Sequence, residues 1–252
     1  MAEKKTTELT VAPTTELQQR PSWIPADHRG TEHLEKGDLQ LPRLRLAQAL
    51  SPQVTEGQAK YIDGLKAIDM FNDLTGQIYG RGPLQFAVIR ADKPRGIQFA
   101  PRETGGGILD MDVPLNDPRM EFTADSEGKP VKPLATKFYD YVIMLLPSRE
   151  VVAFSCASSA IKVAKNLNAL MKLRNAPCFA GKYTVASGSE TNSKGTFSVY
   201  HVKNAGWLSE EEMLYAETLF ESIKDRTLVI EREPGDEPDF DPTTLEGNAA
   251  QM

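Results

Sequence analysis

KFYDYVIMLLPSREVVAFSCASSAIKVAKNLNALMKLR, running from Lys137 to Arg174, is the stretch that decides the fold class. Lys137–Leu146 is rich in aromatic and β-branched residues and reads as a strand. Pro147-Ser148-Arg149-Glu150 is a turn, and Val151–Cys156 reads as the next strand. Ile161, Ala164, Leu167, Leu170 and Met171 then recur at helical spacing. Ser158 or Ser159 can cap this helix, which must stop before Pro177.

Upstream, Leu84–Arg90 (LQFAVIR) is β-rich, and Gly96–Phe99 reads as its hairpin partner across Lys93-Pro94-Arg95. Downstream, Lys182–Ser187 and Thr196–Lys203 flank a Gly/Ser-rich turn. Ser209 with Glu212 forms a capping box ahead of a last helix whose apolar stripe is Met213, Ala216, Phe220 and Ile223. Strands and helices do not alternate, which argues against a doubly wound parallel sheet. The expected fold is mixed β with α: an OB-like five-stranded Greek-key barrel with a helix between strands 3 and 4, plus a C-terminal helix and disordered termini. Residues 101–135, with three consecutive glycines and five prolines, read as a long loop. Residues 41–54 read as an extended segment or short strand ending at Ser51-Pro52. Turn signals at Asn72-Asp73 and Thr75-Gly76 precede a further extended pattern at Ile78 and Tyr79. The expected organisation is a flexible arm over 1–40, one domain over 41–228 and a disordered tail over 229–252.

The chain carries 29 basic and 35 acidic residues, a formal net charge of -6. From Glu231 onward there are seven acids and one base, so 28 bases face 28 acids in the rest. The net charge therefore sits in the tail. A 40% hydrophobic, 25% charged composition is that of an ordinary globular chain. No apolar run approaches the roughly 18 residues of a membrane span, and the first residues lack the apolar core of a secretory signal. Cys156 and Cys178 form no disulfide framework and read as buried small hydrophobes in a reducing cytoplasm. Together with His28, His33 and His201 they make no zinc spacing.

Phosphate-cradle, dinucleotide, zincin and nucleophile-elbow motifs are all absent, so neither an enzyme nor a cofactor is expected. One carboxylate group leaves a lesser alternative open. Asp110, Asp112, Asp117 and Glu127, with Lys129, have the composition of a metal-dependent nuclease site. A Pro/Gly-rich loop is a poor mount for such ligands, and a solvated acidic loop is the simpler reading.

The charge pattern suggests nucleic acid. Between Val151 and Ser189 there is no acid, while Lys162, Lys165, Lys172, Arg174 and Lys182 are present. Between Tyr79 and Arg102 the bases Arg81, Arg90, Lys93, Arg95 and Arg102 meet only Asp92. Aromatic residues are interleaved with both stretches. Single strands are held by bases that track phosphates and rings that stack on nucleobases. The candidate phosphate contacts are Arg81, Arg90, Lys93, Arg95, Lys137, Lys162, Lys165 and Lys182. The candidate stacking rings are Tyr139, Tyr141, Tyr183 and Tyr200, although apolar neighbours on their faces favour core for any single ring. The tail EREPGDEPDFDPTTLEGNAAQM cannot build a core. Its Asp236, Glu237, Asp239, Phe240 and Asp241 suit an autoinhibitory or partner-binding segment.

LPRLRLAQALSPQV (41–54), DLTGQIYG (73–80) and SKGTFSVYHVKNAGWLSEEE (193–212) resemble a family of tailed-bacteriophage and prophage proteins. Some of its members look like phage single-stranded-DNA-binding replication proteins. The resemblance implies an OB-fold with an acidic tail, coating unwound DNA during replication or recombination. It further implies phage or host replication proteins as partners of the tail, and the cytoplasm of the infected bacterium as the location. A homo-oligomer is compatible with it, and no membrane contact is implied. A virion structural or assembly protein is the alternative from a different class.

Overall fold

The computed structural model describes residues 40–101, 106–192, 195–225, 230 and 232. The N-terminal arm lies outside the described residues, as do Asp236, Glu237, Asp239, Phe240 and Asp241. In chain order the strands are β1 (Leu44–Leu46), β2 (Met70–Asn72), β3 (Ile78–Gly80), β4 (Leu84–Ala91), β5 (Arg95–Phe99) and β6 (Ile108–Val113). They continue with β7 (Thr123–Ala124), β8 (Pro130–Val131), β9 (Ala135–Leu146), β10 (Val151–Ala157), β11 (Gly181–Asn192) and β12 (Gly195–Trp207). Helix α1 (Ile161–Leu173) lies between β10 and β11, and α2 (Glu210–Ile223) follows β12.

The fold is mixed β, mostly antiparallel, with two helices among the described residues. Strand β9 organises it. One edge pairs with β10 from Met144↔Val151 to Phe138↔Ala157. The other edge pairs with β4 through its C-terminal half and with β5 through its N-terminal half. β4 and β5 are therefore consecutive pieces of one bent strand, and the expected hairpin across Lys93-Pro94-Arg95 does not form. The physical reason is that Pro94, which cannot donate to a ladder, interrupts the strand without reversing it. A bulge between Val88 and Arg90 adds to the bend. β4 passes the sheet on to β11 and then β12, and β5 passes it on to β6.

Among the described residues the sheet forms no closed barrel, because β10 and β12 do not pair. Two other segments occupy the seam between them. Arg43 and Ala153 form a parallel bridge beside β1, and the Ala153 amide donates to the Pro42 carbonyl at 2.7 Å. On the β12 side the Tyr200 hydroxyl donates to the Leu44 carbonyl at 3.2 Å. The Gln48 side chain accepts from the Ser198 amide at 2.9 Å and donates to its carbonyl at 3.2 Å, as a neighbouring strand would. Helix α1 packs in from the other side, with Ala164 and Leu167 fully buried.

Both faces of the central strands are covered. Phe86, Val88, Tyr141, Ile143, Val152, Phe154, Tyr183 and Tyr200 make the inner core with α1. On the opposite face Ala87, Ile89, Val142 and Met144 lie under Phe179 and α2. This double burial is why YVIMLL is a continuous apolar run rather than an alternation. It also corrects the reading of three tyrosines as stacking platforms. Tyr141, Tyr183 and Tyr200 are 2%, 0% and 9% exposed, and a ring enclosed in a core offers no face to a base.

The capping box at Ser209 forms with both of its bonds. The expected serine cap of α1 does not. Ser158–Ala160 make a 3-10 turn that feeds directly into the helix, and no side chain caps it. The stretch read as one long loop contains β6, a 3-10 turn at Pro118–Met120 and the small β7–β8 hairpin. β1 and β3 fall on the two segments read as extended, and they join β2, which the sequence did not signal, in a three-stranded satellite sheet, β1-β2-β3. Glu150 fastens it to the β9–β10 turn by accepting from Asn72 at 2.6 Å and from the Tyr79 hydroxyl at 2.8 Å.

Phe154 sits at the middle of the ring cluster, with centroids 6.3 Å from Phe86, 6.3 Å from Tyr141 and 5.1 Å from Tyr200. Phe154→Ala is expected to cost about 3–5 kcal/mol of stability. Urea unfolding would read this as a lower midpoint at unchanged slope.

Candidate nucleic-acid interface

Because α1 turns its apolar stripe toward the seam, its polar stripe faces solvent. Lys162, Lys165, Asn166, Ala169, Lys172 and Leu173 are all exposed, at the three- and four-residue spacing of one helix face. Lys162 to Lys172 spans about 15 Å at the helical rise. None of these three lysines makes an ion pair among the described residues. The Asn166 amide donates to the Val202 carbonyl at 3.1 Å. That bond joins the helix face to β12, whose next residue, Lys203, is exposed.

At the C-terminal end of α1, Arg174 bonds Asn204 Oδ1 at 2.6 Å. Its guanidinium lies 4.4 Å from the Trp207 ring centroid and 4.9 Å from that of Tyr183. Trp207 is 56% exposed, so one aromatic surface is backed by a fixed cation and open to solvent. Sequence reasoning missed this residue. The signal was present in the alternation of β12: Tyr200 shares a face with Val202 and belongs inside, whereas Trp207 follows Gly206, whose φ of +94° breaks the strand pattern. Arg174 and Lys172 belong to the acid-free stretch but not to the candidate phosphate contacts read from the sequence.

The remaining candidates are scattered. Lys162 and Lys165 belong to the stripe just described. Lys182 is paired with Glu212 at 2.9 Å, and Glu212 is held below the usual carboxylate range by the Ser209 amide and then by Lys182. Arg90 is turned to Asp92 at 2.7 Å and to the Ile223 carbonyl at 2.6 Å. Both residues are thus committed within the protein, which weakens them as phosphate contacts. Arg81 is exposed near Asp69, and Lys93 is exposed at the β4–β5 bend. Lys137 lies 5.0 Å over the Tyr139 ring, and Tyr139 packs partly into the inner core.

Arg95 reaches Asp140 at 3.4 Å, where it meets a residue from the end of the chain. Arg232 donates to Asp140 at 2.6 Å with both side chains nearly enclosed, and Ser155 donates to the same carboxylate at 2.6 Å. The Arg232 guanidinium also covers Phe138, 4.1 Å from its centroid. Ile230 is 1% exposed. The expected boundary at 228 therefore falls short, since packing against the domain extends to Arg232.

The carboxylates considered as a metal site are taken up by a base. Arg119 donates to Asp117 at 2.9 Å and to Asp110 at 3.0 Å. These bonds hold the Asp117 pKa at about 2. Asp110 is lowered first by the Asp112 amide and then by Arg119. Glu127 pairs with Lys129, on the β7–β8 turn. The loop is an arginine-centred clasp in which Asp110 and Asp117 are already engaged by the Arg119 guanidinium, and among the described residues no group of three or more acids, histidines or cysteines is placed to hold a metal ion.

The profile of the Pam3 phage gp34-like protein family matches residues 13–229. The chain belongs to this family. No curated protein and no solved structure matches it. The bacteriophage origin expected from the sequence is thus supported for this gp34-like chain. Among its described residues no helix is long and apolar enough to cross a membrane.

In the gp34-like clasp, Arg119→Ala is expected to raise the Asp117 pKa from about 2 toward the ordinary carboxylate value near 3.8. The sign follows from removing the group that favours the charged form. In the unsubstituted protein the clasp is complete above the ordinary carboxylate pKa and is lost as pH falls through about 2. A carbon-detected NMR titration of the aspartates would read both.

Proposed function

We propose that this protein is a non-enzymatic single-stranded-DNA-binding protein of a bacteriophage, acting on unwound DNA in replication or recombination in the infected cell. The observation that carries this reading is the acid-free surface of α1 and β12, where Lys162, Lys165 and Lys172 run along the helix toward Arg174, whose guanidinium backs the exposed ring of Trp207, with Lys203 on the adjoining strand. Unpaired cations that follow a backbone beside an open aromatic face are the chemistry of single-strand capture. Four predicted contacts, Arg81, Lys93, Arg95 and Lys137, lie away from α1 and would serve a longer strand.

The reading takes the curled sheet as an OB-like, partly open barrel. The order β10, β9, β4/β5, β11, β12, with α1 between the third and fourth long strands, supports it. In this view α1 and β1 stand in for the last strand pairing. The acidic tail would compete for the same basic surface and engage replication proteins when DNA displaces it. Truncation after Arg232 tests that role without leaving Asp140 unpaired.

Fluorescence anisotropy of a labelled oligo-dT is the direct test. Trp207→Ala should weaken binding by about 1–3 kcal/mol. Replacing Lys162, Lys165 and Lys172 together with Ala should flatten the slope of log affinity against log salt by about 2. Truncation after Arg232 should tighten binding at low salt. Binding that ignores salt, or no binding at all, overturns the proposal.

A further inference from the structure

On the outer face of β11 and β12, Pro83, Thr184, Ala186, His201 and Lys203 line an open hollow of about 500 Å³. That volume lies within the range of small-molecule and nucleotide pockets. Its construction is specific. The Ser187 amide donates to the Arg81 carbonyl at 3.0 Å, extending the β4 pairing past Leu84. Gly82, at φ +79°, lies so close that a Cβ there would meet the Val185 carbonyl oxygen at 2.7 Å. This close approach sets Pro83 as a wall beside β11. Gly188 makes room for the imidazole in the same way, since a Cβ there would lie 2.9 Å from His201 Nε2. Thr184 and Ala186 form the floor, opposite Lys203 and His201 in the strand register.

The lining is mostly apolar, contains no acid and ends in the cation Lys203. Arg81, 61% exposed at its side chain and 3.7 Å from Asp69 through one edge of its guanidinium, stands beside Ser187 of β11. We propose that this hollow captures one unstacked nucleobase of a bound single strand. The base lies against the imidazole of His201 and the ring of Pro83, and its flanking phosphates meet Lys203 and Arg81. This inference rests on the single-strand reading and extends it to a surface that the charge pattern alone does not select. Three features favour a nucleotide as the occupant: the planar imidazole of His201 facing the apolar pyrrolidine wall of Pro83, cations at the rim, and continuity through Lys203 and the Asn166–Val202 bond with the basic face of α1.

The test uses the full chain and an oligo-dT carrying one 5-bromodeoxyuridine, crosslinked by ultraviolet light and mapped after trypsin. Cleavage after Lys194 and Lys203 separates the fragment holding His201 (195–203) from the one holding Trp207 (204–224). The expected result is crosslinking in both fragments. His201→Ala should abolish it in the first alone and weaken binding about fivefold or more. Gly188→Ala, which displaces the imidazole without deleting it, should act in the same direction.

Tight binding with crosslinks confined to 204–224, and no effect of His201→Ala on affinity, would overturn the base site and leave the single-strand reading intact. Failure of the unsubstituted chain to bind at low salt would overturn that reading and the base site with it. Ala186→Trp fills the hollow. If it converts an oligomer to monomer while DNA binding is unchanged, the occupant is a second copy of this chain and the proposal falls.

Discussion

Phe154 and Tyr200 meet edge to face, with centroids 5.1 Å apart and planes at 86°, across the seam where β10 and β12 do not pair. The rest of the molecule depends on that contact. A sheet that curls until its two ends touch through side chains, without zipping through backbone, leaves polar groups that need partners. The β1 segment supplies them by a single bridge at Ala153, by the Leu44 carbonyl under Tyr200, and by the Gln48 amide that copies a strand at Ser198. Helix α1 supplies the apolar cover. Packing of α1 into the seam turns its lysines to solvent, so the geometry of the core determines where the charge is displayed.

Most elements were legible because their signals are local. The strands at 84–90, 137–146 and 151–156, the α1 periodicity and the Ser209 capping box could each be read from a few adjacent residues. What could not be read was set by distant partners. Gly96–Phe99 has the composition of a returning strand, yet β9 is long enough to pair with it and with β4 along one edge. Nothing near Pro94 announces that. The apolar set Phe138, Val142 and Met144 reads as the one core face of β9, whereas both faces are covered: that set's Val142 and Met144 by α2, and the Tyr139/Tyr141 face by α1 and the rings of β4, β10, β11 and β12. Arg119 could not be matched to Asp110 and Asp117 by composition alone, since a metal would use the same carboxylates. In the candidate interface, the acid-free run pointed to α1 correctly as a basic segment, while the apolar neighbours that argue for core, such as Ile143 and Leu145 beside Tyr141, decide the position of three of the four tyrosines.

The buried cluster around Asp140 has a different character from the surface stripe. Burial presses the Arg232 pKa down while Asp140 opposes that shift. Such pairs contribute little net stability, because desolvation offsets much of the attraction. What this one specifies is position: with Ile230 enclosed beside it in sequence, Arg232 fixes the place where the chain leaves the domain. The clasp around Arg119 acts likewise on the loop that precedes β9. Charge inside this protein registers segments, and charge outside it is left unpaired along α1.

The Gln48–Ser198 pairing also has a consequence in time. Its two partners are 150 residues apart in the chain, and β4 likewise waits for β11. Contacts of such separation are slow to form. During synthesis the β9–β10 ladder is complete well before Tyr200 emerges, so Phe154 and its neighbours stand uncovered on a growing ribosome-bound chain. Helix α1, made directly after β10 and built largely from local contacts, is the first segment able to shelter them. The plug of the finished seam is thus also the interim cover of the nascent one.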